Sequence, residues 1–198
     1  MSTNGHKPSV MIGIPTNGDV KMLTVCSLVM GTNLLRSAGY DMQFVCREGP
    51  YTHWNREHLA NDALSENADY LMFVDTDIVF PTEGIATLLG RGKDIIGGMY
   101  NLKQDERVTT IKLWDDERKG FRPVKDAPLP SGPFEVAALP TGFMLVHTRV
   151  FRGMEPPFFP CDFGLGEDVA FCVNAQKAGF EVWCDPTIPL QHIGLKAY

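Results

Sequence analysis

Hydrophobic and polar positions along this chain fall into blocks whose period changes, and the changes mark the elements. Val10-Met11-Ile12-Gly13-Ile14 is a continuous apolar run that predicts a strand covered on both faces, ending at Pro15-Thr16-Asn17-Gly18. From Asp19 to Ala38 the spacing turns helical. Met22, Cys26, Met30 and Leu34 recur every four residues, Val25 and Val29 widen the stripe, and Gly39 supplies a stop. The pattern predicts that this methionine-rich stripe packs into the core. Met42 to Cys46 predicts a second strand, and Trp54 to Asn67 a second helix with Leu59, Ala60, Ala63 and Leu64 on one face. Leu71 to Val74 then runs straight into Asp75-Thr76-Asp77, and the chain turns apolar again at Ile78. A short helix from Thr82 to Leu89, closed by Gly90, and a strand from Asp94 to Gly98 follow.

Strands alternating with helices predict an α/β fold, a mostly parallel sheet with right-handed crossovers. Ligands of such sheets sit at the C-terminal strand ends, where Pro15 to Gly18 and Asp75 to Asp77 both fall. The stretch 101–140 departs from the alternation. Val108 to Trp114 and Phe121 to Val124 predict a hairpin around the charged turn Asp115 to Gly120, followed by a Pro/Gly-rich connection. This excursion is either solvated or a flap facing an acceptor. Ala138 to Val146 predicts a tight bend and a buried strand. Phe163-Gly164-Leu165-Gly166-Glu167-Asp168 leads into a helix from Val169 to Ala178, and Glu181 to Cys184 is a last strand before Asp185-Pro186 and His192-Ile193-Gly194.

The 198 residues fit one domain, 1–198, with one sizeable core. A net charge of −6 argues against a large nucleic-acid surface. The first apolar run is too short for a signal-peptide core or a membrane span, so a cytoplasmic location without a membrane anchor is expected. Five cysteines without a CxxC pair predict reduced, mostly buried thiols. The spacing of Cys161, Cys172, Cys184 and His192 matches no common zinc module.

Two carboxylates one residue apart at the end of a buried strand are costly unless compensated, and a bound divalent cation compensates them. A solvated turn before Pro81 fits the same residues. Arg56 stands in the first turn of its predicted helix, where a cation is unfavourable unless an anion lies nearby; the alternative is a solvent-facing arginine. Glu167 and Asp168 stand in a first turn, where capping alone accounts for them.

Taken in order, Ile14-Pro15-Thr16, Asn55-Arg56, Val74-Asp75-Thr76-Asp77, Thr141-Gly142-Phe143, Gly166-Glu167-Asp168 with Phe171-Cys172, and Asp185-Pro186 before His192-Ile193-Gly194 resemble a nucleotide-sugar glycosyltransferase of the GT-A type. The resemblance is to the family-two-like enzymes, and the short chain resembles compact members encoded by phages. It implies a single-domain, Rossmann-like GT-A fold with a small hairpin excursion. It implies inverting transfer from a UDP- or GDP-sugar to an acceptor hydroxyl, dependent on Mn2+ or Mg2+. By this resemblance Asp77 binds the metal, His192 completes the protein ligands, and Asp75 faces the ribose or a metal-bound water. The imidazole favours manganese. Asp168 maps onto the catalytic base, with Glu167 orienting the acceptor or the base. Arg56 would contact diphosphate or the aspartates. Pro15, Thr16 and Asn17 would hold base and ribose, or form an ordinary turn, and Gly142 would admit the donor sugar, or serve the bend. One departure stands out: Val45-Cys46-Arg47-Glu48-Gly49-Pro50 lacks the usual placement of a uracil-binding acid, which leaves the base open.

Asp75-Thr76-Asp77-Ile78-Val79 also resembles the first motif of haloacid dehalogenase-type phosphatases, with Asp75 as nucleophile. That motif normally lies on the first strand, and two strand–helix units precede it here. A sugar-nucleotide-forming nucleotidyltransferase would want a Gly-rich basic loop where Pro15 to Gly18 stands. A noncatalytic nucleotide-sugar-binding module that keeps the metal site is the remaining alternative.

Overall fold

The computed structural model describes residues 8–102, 108–125, 128–161 and 164–194. Among them, seven strands form one sheet: β1 (Ser9–Thr16), β2 (Asp41–Glu48), β3 (Tyr70–Val74), β5 (Ile95–Gly97), β8 (Phe134–Glu135), β9 (Phe143–His147) and β10 (Val182–Cys184). Two short pairs stand apart, β4 (Ile78–Val79) with β11 (Gln191–His192), and the hairpin β6 (Val108–Asp115) with β7 (Gly120–Lys125). The helices are α1 (Met22–Ser37), α2 (Thr52–Ser65), α3 (Gly84–Gly90), α4 (Arg149–Arg152) and α5 (Glu167–Lys177). This is the expected α/β, Rossmann-like GT-A architecture. Phe163, in the run expected to lead into α5, lies outside the described residues.

The strand order is β2-β1-β3-β9-β5-β10-β8. β2, β1, β3, β5 and β10 run one way, whereas β9 runs antiparallel to both β3 and β5, and β8 antiparallel to β10. The reversal of β9 departs from simple strand–helix alternation and matters for the site. An antiparallel strand starts at the edge where its neighbours end, so Thr141-Gly142-Phe143 arrives beside Asp75, whose N–H donates to the Gly142 carbonyl at 2.9 Å.

Alternation along the central strands divides the core. Val10 and Ile12 of β1 with Met72 and Val74 of β3 face one side; Met11, Leu71 and Phe73 face the other, where Phe159 and Phe171 stack at 4.7 Å. Both layers are sealed, which is why these strands carry uninterrupted apolar runs.

The expected burial of the methionine stripe is overturned. Met22, Val29 and Met30 are each more than half exposed, Cys26 and Leu34 are exposed, and α1 instead buries Thr24, Ser27, Leu28, Gly31, Thr32 and Leu35. Small residues let the helix come close: a Cβ at Gly31 would meet Phe80 at 3.3 Å. The buried hydroxyls of Ser27 and Thr32 are satisfied within the element or across it, Thr32 Oγ1 donating to the Leu28 carbonyl at 2.7 Å and Ser27 Oγ accepting from the Phe80 N–H at 3.1 Å. The cysteines are also less buried than expected. All five are free, but Cys26, Cys46 and Cys161 are exposed and only Cys172 and Cys184 are buried. Burial pushes both of those thiols up to about 12, so they are inert packing groups.

Candidate functional site

β1 and β3 lie side by side and end together, so Thr16 and Asp75 share the C-terminal edge. A cavity of about 230 Å3 opens there, with Pro15, Thr16 and Asn17 on one side and Asp75, Thr76 and Asp77 on the other. Thr52 and Asn55 of α2 close it. Asn55 is buried and its amide donates to the carbonyls of Thr16 at 3.2 Å and Gly49 at 3.1 Å, tying the end of β1 to the turn before α2. Sequence reading placed Asn55 in a motif without giving it this task.

Arg56, one residue on, is the electrostatic centre. Its side chain is 5% exposed, its Nη2 bonds both Asp75 oxygens at 2.9 and 3.2 Å, and its Nη1 pairs with Glu167. Burial works against the guanidinium, but Asp75 and Glu167 together outweigh it and hold the charge above its ordinary range. The solvent-facing alternative for Arg56 is therefore excluded. The chain Asp75–Arg56–Glu167 ties the end of β3 to the start of α5. Two polar atoms beside it are sealed without a partner among the described residues, Arg56 Nε and Thr141 Oγ1.

His192 is drawn in by the small sheet. It lies opposite Ile78 in the β4–β11 pairing, and the Ile193 N–H donates to the Asp77 carbonyl at 2.9 Å. The imidazole Nε2 then stands 3.5 Å from Asp77 Oδ1, while Nδ1 lies 3.3 Å from the Asn101 carbonyl. Each ring nitrogen thus faces an oxygen acceptor, and with the proton on Nδ1 the Nε2 lone pair would be the one offered to a cation shared with Asp77. His192 is held in place by the β4–β11 pairing. Asp75, expected at the ribose or a metal-bound water, is turned to Arg56, and among the described residues no three His, Cys, Asp or Glu side chains converge as a metal cluster. The Asp77–His192 pair has the donor types a hard or borderline divalent cation takes.

Gly166 precedes α5 in extended backbone, and Glu167 and Asp168 occupy the first turn. Asp168 Oδ1 accepts from the Val169 N–H at 2.8 Å, and a Cβ on Gly166 would lie 2.8 Å from that oxygen, so a side chain there would have to displace the carboxylate. Burial pushes Asp168 above the ordinary carboxylate range, with Glu167 adding to the rise; the Val169 N–H and Arg56 oppose it. Asp168 thus satisfies an N–H of the first helical turn while its carboxylate stays largely buried beside Glu167 and Arg56.

Gly142 has a definite neighbour. A Cβ there would meet the Tyr100 hydroxyl at 2.3 Å and Asp75 Oδ2 at 2.9 Å. Tyr100, missed in the sequence because it follows a predicted strand with no motif around it, is a member of the site. The hairpin is real, but a cavity of about 740 Å3, lined by Trp114, Phe121, Val136 and Gln176 among others, lies between it and α5, away from the aspartates. Asp75 is a poor candidate nucleophile, since both its oxygens are engaged by a buried guanidinium.

No family model matches the sequence, and no curated protein matches it. Solved structures do. The chain is similar to A197 from STIV at 18% identity and a TM-score of 0.67, covering 94% of this chain and 86% of that one. It is also similar to GalNAc-T7, solved with UDP, GalNAc and Mn2+, at 12% identity and a TM-score of 0.62; 96% of this chain matches 44% of that chain, less than half its length. In all, 213 chains of known structure match, these two included, and the likeness establishes the fold and selects no substrate.

Proposed function

We propose that this chain is a metal-dependent glycosyltransferase that moves a sugar from a nucleoside-diphosphate sugar to an acceptor hydroxyl with inversion. The observation that carries the reading is the meeting, at one sheet edge, of the Asp77–His192 pair, the Asp75–Arg56–Glu167 chain and the cavity beside Thr16. The GT-A fold supports it, as does the nucleotide and metal named with GalNAc-T7.

In this reading Pro15, Thr16 and Asn17 hold base and ribose, with Asn55 fixing their backbone. Asp77 and His192 hold manganese or magnesium, which when bound neutralises charge on the diphosphate. Asp75, fixed by Arg56, faces the ribose or a metal-bound water. Asp168 accepts the acceptor's proton as its oxygen bonds to the anomeric carbon and the bond to diphosphate breaks. Glu167 orients Asp168 or the acceptor through its tie to Arg56. The family-two-like, phage-type and cytoplasmic assignments belong to the same proposal. Among the described residues no helix is long and apolar enough to cross a membrane.

The test is a panel of UDP- and GDP-sugars with Mn2+, scored by nucleotide release and by calorimetric binding. At least one donor should bind in a metal-dependent way, and Asp77→Ala should abolish that dependence. Folded protein that binds none of the panel would overturn the reading.

A further inference from the structure

Tyr100 is 7% exposed and is held at both ends. Its carbonyl accepts from the Thr110 N–H at 2.9 Å and from Thr110 Oγ1 at 2.8 Å, so β6 fixes its backbone. Its ring meets the His192 imidazole edge-on, centroids 4.8 Å apart. Its hydroxyl stands over Gly142 next to Asp75 Oδ2, in the space a Cβ would fill. That hydroxyl is not one of the sealed, unpartnered atoms among the described residues, which are Thr24 Oγ1, Arg56 Nε and Thr141 Oγ1. As a phenol it is a proton donor at neutral pH.

Its place along the sheet edge says what it donates to. The strands run β1, β3, β9, β5 across this edge, presenting Thr16, then Asp75, then Gly142, then the segment after Gly97 that carries Tyr100. Neighbouring strands are spaced by about 4.8 Å, so the far end lies roughly three spacings from Thr16. A donor with its nucleoside beside Thr16 and its diphosphate by Asp77 and His192 extends its sugar toward β9 and β5.

We propose, resting on the glycosyltransferase reading above, that Tyr100 is the residue through which the site contacts the sugar half of the donor. Its hydroxyl donates to a sugar oxygen, and its ring positions the His192 imidazole beside Asp77.

The experiment compares Tyr100→Phe and Tyr100→Leu with the unaltered chain. Calorimetry with Mn2+ uses the tightest-binding donor of the panel and its free nucleoside diphosphate; NMR follows the His192 ring protons without ligand. Tyr100→Phe should bind the free nucleotide within about twofold of normal and lose about tenfold for the sugar nucleotide, the worth of one neutral hydrogen bond. The His192 ring signals should remain in place in Tyr100→Phe and move in Tyr100→Leu, which should also bind Mn2+ more weakly. An unchanged ratio of sugar-nucleotide to nucleotide affinity in Tyr100→Phe would overturn the sugar contact. Unmoved His192 signals in Tyr100→Leu would overturn the positioning role. If the unaltered chain binds no sugar nucleotide, the glycosyltransferase reading fails and the sugar contact with it, while the NMR comparison still decides the ring contact.

Discussion

Two carboxylate–arginine assemblies occupy the same sheet edge, and they are built inside out with respect to each other. At the end of β10, Asp185 is 0% exposed and fully engaged: Arg91 Nε donates to Oδ2 at 2.8 Å, and the Thr187 N–H and hydroxyl donate to Oδ1 at 3.0 and 2.6 Å. Its arginine is the outer partner, 37% exposed. At the end of β3 the arginine is the buried member, and the carboxylates of Asp75 and Glu167 keep 26% and 28% of their surface. A sealed carboxylate with three donors on its two oxygens is a structural anchor. Carboxylates held from behind by a buried cation are pre-aligned and still open to a ligand. Both kinds follow a strand in the sequence as an Asp within a short polar turn, and only the packing tells them apart.

The difference can be broken open by substitution. Asp168→Asn, next to the open assembly, should cost transfer about a thousandfold while leaving metal-dependent donor binding intact, as removal of a general base does. The two assemblies also differ in how their acids titrate. Since burial raises Asp168, the acidic limb of kcat/KM should lie above the ordinary carboxylate value of about 3.9, and rate should fall as pH drops through it. A pH–rate profile with no such limb, or an unchanged limb in Asp168→Asn, would contradict its role.

Arg56→Met sharpens the comparison from the other side. It leaves Asp75 and Glu167 facing each other without their cation and should cost about 3 kcal/mol of stability by chemical denaturation, together with donor binding. Lysine should not rescue it, because one ammonium cannot serve two carboxylates with the forked geometry of guanidinium. Asp185→Asn should have the smallest effect, about 2 kcal/mol of stability with transfer unchanged at low temperature. Burial pushes Asp185 up, but the Thr187 bonds and Arg91 outweigh it, so its value in the folded protein is lowered. The stability it contributes is present above the ordinary carboxylate value and lost as pH falls through the lowered one. Loss of transfer in Asp185→Asn at full stability would erase the distinction between anchor and site.

Much of this was legible in the chain itself. The apolar run into Asp75-Thr76-Asp77 marks a buried strand ending at a polar turn, and the hairpin boundaries follow from alternation around Asp115 to Gly120. The second helix shows its buried face in Leu59, Ala60 and Ala63. The first helix misleads, because Ser27, Gly31 and Thr32 score as polar or neutral while their small size and internal hydrogen bonds suit close packing. β4, β8 and β11 are two-residue pairings, too short for any period to show.

By itself, then, the sequence determined the strand–helix blocks, the place of the Asp-x-Asp turn at a strand end and the ordered set of acids, arginine and histidine that follows. Those are local properties, written in spacing and in residue type. Tertiary structure alone decided which side of α1 is buried, that β9 runs backwards to deliver Gly142, and that Arg56 stands between Asp75 and Glu167 across 19 and 111 residues of chain. It also placed Tyr100 between Asp75 and His192. Contacts of that kind depend on how distant segments meet, and no periodicity along the chain records them.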